Sequence, residues 1–98
     1  EFALILPDTD DVAAREVMTR LVNAHMDLSF HKGGRQVDLK ITLSYGEIVF
    51  PESGTDPLEL YRKADSNMYL SKDRGRNQCH FWSNDGNHQQ LLPDSEAD

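Results

Sequence analysis

The stretch ADSNMYLSKDRGRNQ, residues 64–78, decides the fold because it marks the end of a helix and the turn that leads into a strand. Apolar side chains recur at helical spacing through its first half and through the residues just before it, which predicts an amphipathic helix. Upstream, Asp56 and Pro57 are a typical N-cap and first-turn pair. Downstream, Gly75 is placed to cap the helix in a left-handed conformation. The predicted apolar stripe comprises Leu60, Tyr61, Ala64, Met68 and Tyr69.

Toward the N-terminus, the sequence predicts a strand and another helix. Residues 2–6, FALIL, form a short apolar run closed by Pro7, which is typical of a strand buried on both faces. Asp10 and its acidic neighbours offer N-cap side chains, and apolar residues then recur every three or four positions. This spacing predicts an amphipathic helix over residues 11–26.

Between the two helices, the sequence predicts a β-hairpin whose second arm continues as a longer strand. Residues 28–30 and 37–48 are strand-like, and the glycines within residues 31–35 permit a tight reversal. Residues 78–82, QCHFW, give a last short strand. The order of strand, helix, hairpin and strand, helix, strand favours an α/β or α+β fold with helices against a sheet.

The composition indicates one small domain followed by a tail. The 98 residues carry a formal net charge of −7, and a chain of this length fills one modest core. Residues 83–98 hold four acidic side chains and no Lys or Arg, which leaves −3 of the −7 for the rest. We therefore predict a folded unit over residues 1–82 and an acidic flexible tail over residues 83–98. An acidic surface argues against nucleic-acid and anionic-membrane partners.

Several classes of site are disfavoured by the cysteine and histidine content. Cys79 is the only cysteine, so an intrachain disulfide is impossible, and its apolar strand favours a buried thiol over a nucleophile. The four histidines lack metal-ligand spacing, which argues against a zinc site. No apolar run reaches the roughly 20 residues of a membrane span. The start at Glu1 and Phe2, without a signal-like stretch, suggests a segment of a longer protein.

Three motifs stand in order along the chain: EFALILP at residues 1–7, ITLSYG at residues 41–46, and the run at residues 64–78. Together they resemble GGDEF domains, the catalytic domains of bacterial diguanylate cyclases. The first is similar to the end of the GG(D/E)EF signature and its adjoining strand, and the second to the family strand VTVSIG. The third is similar to ADxALYxAKxxGRN, in register at Ala64, Asp65, Tyr69, Lys72, Gly75, Arg76 and Asn77. The resemblance covers the chain from Glu1 to about Trp82.

The resemblance implies a palm-like sheet with flanking helices, of the ferredoxin-like or nucleotidyl-cyclase type. In that fold the first strand lies between the strand begun by Phe2 and the strand around residues 42–45, and no segment here corresponds to it. We therefore expect an incomplete sheet. Unpaired strand edges are templates for another chain, so a homodimer or a partner that completes the sheet is expected.

The implied activity is the condensation of two GTP molecules into cyclic di-GMP with release of pyrophosphate, by a dimer of domains in the bacterial cytoplasm. The implied cofactor is Mg²⁺ or Mn²⁺. We expect the 98 residues alone to be inactive. A degenerate GGDEF domain that binds GTP or a protein partner without making product is the alternative, and another palm-domain nucleotidyl transferase is a third. The residues that precede Glu1 would distinguish them.

Lys72 and Arg76 are the candidate GTP-binding residues. In the family, cations at these positions hold the phosphates, Lys as a point charge and Arg as a planar fork. Their spacing of four would place them on one face of a continuing helix, although Arg76 comes after the Gly75 cap. The alternative is structural, because Lys and Arg at the end of a helix also interact favourably with its dipole.

Glu1 is the candidate catalytic and metal-binding residue, because it corresponds to the fourth letter of the signature and carboxylate oxygens suit Mg²⁺. The alternative is a charged, frayed chain end. The family's main metal ligands, the acidic residue before this position and an Asp on the first strand, have no counterpart here. Arg20 stands where some family members bind the product at an inhibitory site; its alternative is an ordinary solvated arginine.

Overall fold

Two helices and five strands make up the parts of the chain that the computed structural model describes, residues 1–82 and 88–94. The strands form a two-stranded sheet of β1 and β2 and a three-stranded sheet of order β3-β4-β5. This mixed architecture confirms the predicted fold class. The elements are α1 (Asp11–Asn23), β1 (Met26–Lys32), β2 (Arg35–Ile41), β3 (Tyr45–Gly46), α2 (Pro57–Asp73), β4 (Cys79–Trp82) and β5 (His88–Leu91).

Helix α1 begins at the predicted cap and ends earlier than predicted. The Ala13 amide donates to Asp10 Oδ1 at 2.8 Å, which satisfies one of the free N–H groups of the first turn. The helix stops at Asn23 instead of continuing to Met26, because Met26 already pairs with Ile41 in β1 and β2. Pairing between β1 and β2 therefore replaces the last helical turn that was predicted.

The core lies between α1 and the three-stranded sheet. Buried apolar side chains from both elements meet there: Met18, Val22, Cys79 and Phe81, with Leu21, Tyr45 and Leu91 packed against them. Cys79 has no exposed surface, and its burial raises the pKa of the thiol to about 12. The prediction of a buried thiol is confirmed. Because side chains alternate along a strand, His80 points to the opposite face of the sheet.

The β1 and β2 strands form the predicted hairpin, with a longer pairing than expected. Their register joins Met26 to Ile41 and Lys32 to Arg35. Gly33 and Gly34 make the reversal with φ angles of 60° and 79°, the pattern of a two-residue turn that glycine accommodates best. The prediction of one continuous strand over residues 37–48 is wrong, because residues 42–44 lie outside any ladder and only Tyr45–Gly46 pairs with β4.

Helix α2 crosses over the sheet between the parallel strands β3 and β4. Asp56 caps its first turn by accepting from the Glu59 amide at 3.2 Å, as predicted. Its inner face is more polar than predicted: Asn67 and Ser71 are buried and donate to backbone carbonyls at the end of β3. Tyr61 and Tyr69, predicted in the apolar stripe, are instead 56 % and 54 % exposed. Close backbone contact with β3 leaves no room for aromatic rings on the inner face.

Residues 2–6 do not form the predicted buried strand. They have no ladder partner, and Phe2 and Ile5 are 95 % and 83 % exposed. Strand β3 is an edge of its sheet within the described residues, with β4 as its neighbour. The two segments are not paired with each other, as expected for a sheet that lacks the strand between them. The apolar run has strand-forming residues but pairs with no strand among the described residues.

The predicted flexible tail is wrong for His88–Leu91, which form β5 and pair antiparallel with β4. The Asp94 amide also donates to Asn23 Oδ1 at 2.7 Å, which joins this segment to the end of α1. Residues 83–87 and 95–98 of the predicted tail lie outside the described residues. Within the described chain, neither helix combines the length and apolar composition that crossing a bilayer requires.

Candidate functional site

The turn after α2 carries the two predicted phosphate-binding cations. The helix ends at Asp73, and the Arg76 amide donates to Ser71 O at 2.8 Å while the Gly75 amide donates to Lys72 O at 3.4 Å. This pair of bonds is the Schellman motif. Gly75 has a φ of 114°, so the predicted glycine cap is present. The chain therefore reverses between Lys72 and Arg76 instead of continuing as a helix.

Both cations of this turn are exposed to solvent. Lys72 lies in the last turn of α2, with Nζ 5.6 Å from the centroid of the Tyr69 ring. Arg76 stands beyond the cap with a left-handed φ of 63°. Neither forms an ion pair with any residue in the described ranges. The arrangement leaves two positive charges at one corner of an acidic domain, where they are available to an anion.

Glu1 is exposed and lies beside the first half of α2. Tyr61 Oη donates to Glu1 Oε1 at 3.2 Å, and the negative charge of Glu1 raises the pKa of the Tyr61 hydroxyl. Tyr61 and Lys72 lie on the same side of the helix, about 16 Å apart along its axis. The structure therefore places Glu1 on the side of α2 that carries Lys72, but away from the turn.

Arg20 is not part of this corner. It is exposed in the last turn of α1, where a cation interacts favourably with the helix dipole, and α1 packs on the opposite face of the sheet from α2. A pocket of about 260 Å³ lies near the end of α1, lined by residues that include Asn23, His25, Lys40 and Asn77. Arg20, Lys72 and Arg76 do not line it.

No ready-made metal centre accompanies Glu1. Among the described residues, no three His, Cys, Asp or Glu side chains come together in a way that could hold a metal ion. Mg²⁺ typically requires six oxygen ligands, of which a protein supplies one or two carboxylates. A single exposed carboxylate that also accepts a hydrogen bond from Tyr61 does not by itself fit that requirement.

A buried hydrogen-bond network, which the sequence did not reveal, lies behind the turn. Gln78 Nε2 donates to Arg74 O at 2.9 Å and to Arg76 O at 3.0 Å. Gln78 Oε1 lies 2.8 Å from His80 Nε2 and accepts from Gln90 Nε2 at 2.5 Å. His80 belongs to β4, whereas Gln90 belongs to β5, which the sequence presented as a tail. The network joins the turn to both β4 and β5.

Two of the four histidines meet in this network. His80 Nδ1 and His88 Nε2 are 2.6 Å apart, a hydrogen-bond distance. Burial, followed by the charges of His88 and Arg74, lowers the pKa of His80. The two nitrogens are too close to share a metal ion, whose ligands would stand over 3 Å apart at about 2 Å from the ion. The contact is therefore a hydrogen bond between the two rings.

Glu47, just after β3, is a second polar group that the sequence analysis missed. It is 8 % exposed, and neither carboxylate oxygen has a hydrogen-bond partner in the described residues. Burial raises its pKa to about 7, the negative charge of Asp11 adds to this, and Arg15 opposes it. An acidic residue inside the apolar run YGEIVF was the available signal.

The raised pKa of Glu47 predicts that stability falls as pH rises. The folded state favours the protonated carboxyl. The contribution of Glu47 to the free energy of unfolding is therefore fully present below the unfolded pKa of 4.5 and is lost as pH approaches 7. Glu47→Gln, which cannot ionise, should therefore be more stable than the wild type at pH 8 by about 1 kcal/mol or more. Urea denaturation of both proteins between pH 4.5 and 8 measures the difference. A constant difference across this range would contradict the assignment.

The comparisons with known proteins agree with the motifs on these elements. The family described as "Diguanylate cyclase, GGDEF domain" matches residues 1–78. The "Probable diguanylate cyclase DgcT" of Escherichia coli is 32 % identical over 77 residues, which are 79 % of this chain and 17 % of the relative. "Signaling protein YkoW" of Bacillus subtilis is 33 % identical over 91 residues, 85 % of this chain and 10 % of the relative.

These relatives are much longer than the chain, which spans less than a fifth of either. No solved structure shows significant similarity to it. The family match nevertheless extends over most of the chain and includes Glu1, the β3 region, Lys72 and Arg76. The chain therefore belongs to the GGDEF family of diguanylate cyclase domains.

Proposed function

We propose that this chain provides the phosphate-binding corner of a diguanylate cyclase site, with Lys72 and Arg76 as the groups that hold the GTP phosphates. The observation that carries the proposal is the exposed pair of cations on either side of the Schellman turn. The membership of the chain in the GGDEF family supports GTP as the substrate of this pair. The reaction is the condensation of two GTP molecules into cyclic di-GMP with release of pyrophosphate.

The two cations differ in what they contribute to binding. Lys72 is carried by a helix and offers a compact charge on a flexible stem, whereas Arg76 offers a planar fork that can donate to two phosphate oxygens at once. In phosphoryl transfer, catalysis consists mainly of positioning and of neutralising charge on the phosphates. Two cations on either side of one capped turn can supply both contributions to the triphosphate.

Glu1 is proposed as one carboxylate ligand of the divalent cation that the family uses. When bound, Mg²⁺ or Mn²⁺ would neutralise phosphate charge. The described residues do not complete such a site, so further ligands have to come from groups outside these ranges, from phosphate oxygens or from water. The contribution of this chain's own residues is the binding and orientation of the phosphates.

The proposal extends to the assembly and location of the domain, to a role for Arg20 and to a second candidate function. The condensation joins two substrates, so two GGDEF domains facing each other are proposed as the active unit, in the cytoplasm where GTP is available. Arg20 remains a candidate for an inhibitory product site on the far side of the sheet. A degenerate GGDEF domain that binds GTP or a protein partner without turnover is the second candidate, because the proposed metal ligand Glu1 is exposed and accepts a hydrogen bond from Tyr61.

Substitution of the cations tests the proposal in a chimera, in which this chain replaces the stretch of the E. coli relative to which it aligns. Arg76→Ala and Lys72→Ala should each lower kcat/KM for cyclic di-GMP formation about 10- to 100-fold, the loss of one charge-assisted contact. Chromatography of the products measures the rate. Arg62→Ala, which removes an exposed arginine from the middle of α2, is the matched control and should leave the rate unchanged.

The outcome separates the two candidate functions. A chimera that binds GTP through Lys72 and Arg76 but makes no product would support the regulatory domain over the enzyme. If both alanine variants instead retained the full rate and affinity, the cations would only complete the helix, and the phosphate assignment would be wrong.

A further inference from the structure

The Gln78 side chain has every hydrogen-bonding position of its amide occupied. The residue is 2 % exposed, and its two N–H groups reach the carbonyls of Arg74 and Arg76. Backbone carbonyls only accept hydrogen bonds, so the nitrogen must face the turn and the oxygen must face β5. That oxygen lies within hydrogen-bond distance of His80 and Gln90. One orientation of the amide therefore satisfies all four contacts.

The orientation of Gln78 also fixes the histidine tautomers. Gln78 Oε1 accepts only, so His80 Nε2 must carry a hydrogen, and in the neutral ring His80 Nδ1 is then an acceptor. His88 Nε2 must accordingly donate across the 2.6 Å contact. The chain of bonds runs in one direction from β5 through β4 to the backbone of the turn. Its last acceptor is the carbonyl of Arg76.

The backbone that receives these bonds has an unusual conformation. Arg76 and Asn77 have φ angles of 63° and 52°, in the left-handed region that costs a residue with a side chain roughly 1 kcal/mol or more. Two consecutive residues in this conformation need stabilising contacts from neighbouring groups. The Gln78 side chain provides such contacts, because it binds the carbonyls on both sides of Gly75.

We propose that Gln78 is a positioning residue for Arg76. Its two hydrogen bonds to backbone carbonyls hold the left-handed turn, and the turn sets the position from which the Arg76 guanidinium binds a phosphate. His80, His88 and Gln90 keep the Gln78 amide in its working orientation. This inference rests on the proposed phosphate-binding role of Arg76. The inference extends the site to a buried amide that does not touch the substrate and to strand β5, whose side chains hold that amide in place.

The histidine pair makes this support sensitive to pH. Only one hydrogen fits between the two ring nitrogens, so the pair tolerates one positive charge but not two. The charged or titratable groups that face His80 are His88 from β5 and Arg74 from the end of α2, while β3 presents Gly46. The folded pKa of His80 is lowered, so the network is intact above the unfolded value of 6.5 and is lost as pH falls below it.

A double-mutant cycle on the full 98-residue chain tests the proposal, with GTP and Mg²⁺ as the probe and an NMR titration to measure weak affinity. Gln78→Met keeps the length of the side chain and removes its polar contacts. It and Arg76→Ala should each weaken binding about tenfold, and the double variant should also be about tenfold weaker instead of a hundredfold, because both act through one contact. Gln89→Met, on the exposed part of β5, is the matched control.

A second measurement keeps the test decisive if Gln78→Met folds poorly. In His88→Gln, the new amide can donate to the neutral His80 ring or accept from the charged one. Protonation of His80 then no longer breaks the network, so the affinity of the variant for GTP should lose the part of the pH dependence below 6.5 that the wild type shows. Protonation of the triphosphate itself is common to both proteins and cancels. Identical pH profiles for the two proteins would overturn the proposal.

The cycle separates the role of Gln78 from that of Arg76. If Arg76→Ala weakens binding but Gln78→Met has no effect, or if the two effects add, Gln78 is a structural residue and the phosphate assignment stands. If Arg76→Ala leaves binding unchanged, the proposed function fails, and the positioning role fails with it.

Discussion

Gly46→Ala is expected to destabilise the domain by about 3 kcal/mol or more, because β3 and α2 are in backbone contact at this glycine. A Cβ atom at Gly46 would lie 2.0 Å from Ala64 O and 2.3 Å from Met68 N. Both atoms belong to the backbone of α2, so no side-chain rotation can relieve the overlap. The helix would have to move away from β3, breaking the bonds that Asn67 and Ser71 make to the carbonyls of Glu47 and Tyr45.

The measurement is the free energy of unfolding by urea, with Gly33→Ala as the matched control. Gly33 has a left-handed φ of 60° but no atom within 4 Å of the added methyl group. The control therefore reports the conformational cost of alanine alone, about 1 kcal/mol. Equal losses for the two variants would show that the contact between β3 and α2 is not as close as the structure has it.

The elements that were predicted correctly owe their structure to local chemistry. The caps at Asp10, Asp56 and Gly75 act over three or four residues, so their positions could be read directly from the sequence. The hairpin turn likewise depends on two adjacent glycines. These signals do not require knowledge of which other segments lie nearby.

Most of the wrong predictions concern strands, whose existence depends on a partner; the others are the last turn of α1 and the two exposed tyrosines of α2. Residues 2–6 have a strand-like composition but stay unpaired, and residues 42–44 leave the ladder because β4 meets β3 over two residues. Conversely, His88–Leu91 contain polar residues that indicate a tail, yet the exposed edge of β4 recruits them. Strand propensity measures the fit to a half-buried surface, and this surface is supplied by tertiary contacts.

The candidate site divides in the same way. Lys72 and Arg76 could be proposed from the sequence because a motif fixes their spacing around a glycine cap, and both are exposed beside that cap in the structure. Gln78, His80 and His88 could not be found, because they come together only through the pairing of β4 with β5. Candidate residues at the end of one helix can be recognised in the sequence, whereas the hydrogen-bond network of Gln78 can be recognised only once the pairing of β4 and β5 is known.

The chain incubated alone with GTP and Mg²⁺ is expected to form no detectable cyclic di-GMP. The exposed Glu1 accepts a 3.2 Å hydrogen bond from Tyr61, and no group of three metal-binding side chains exists among the described residues. Positioning and charge neutralisation supply most of the acceleration in phosphoryl transfer, so the two cations proposed to bind phosphate should give essentially no turnover without a metal site beside them.

The test compares the chain with the chimera under the same conditions and measures product by chromatography. Product from the chimera but not from the chain would show that Lys72 and Arg76 serve a site whose other half is supplied by the relative. Arg76→Ala in the chimera should then abolish most of that activity, whereas Arg62→Ala should not. Product from the chain alone would overturn the proposal that this chain supplies only the phosphate-binding part of the site. One exposed carboxylate and two cations would then be sufficient for a reaction that we assign to a larger assembly.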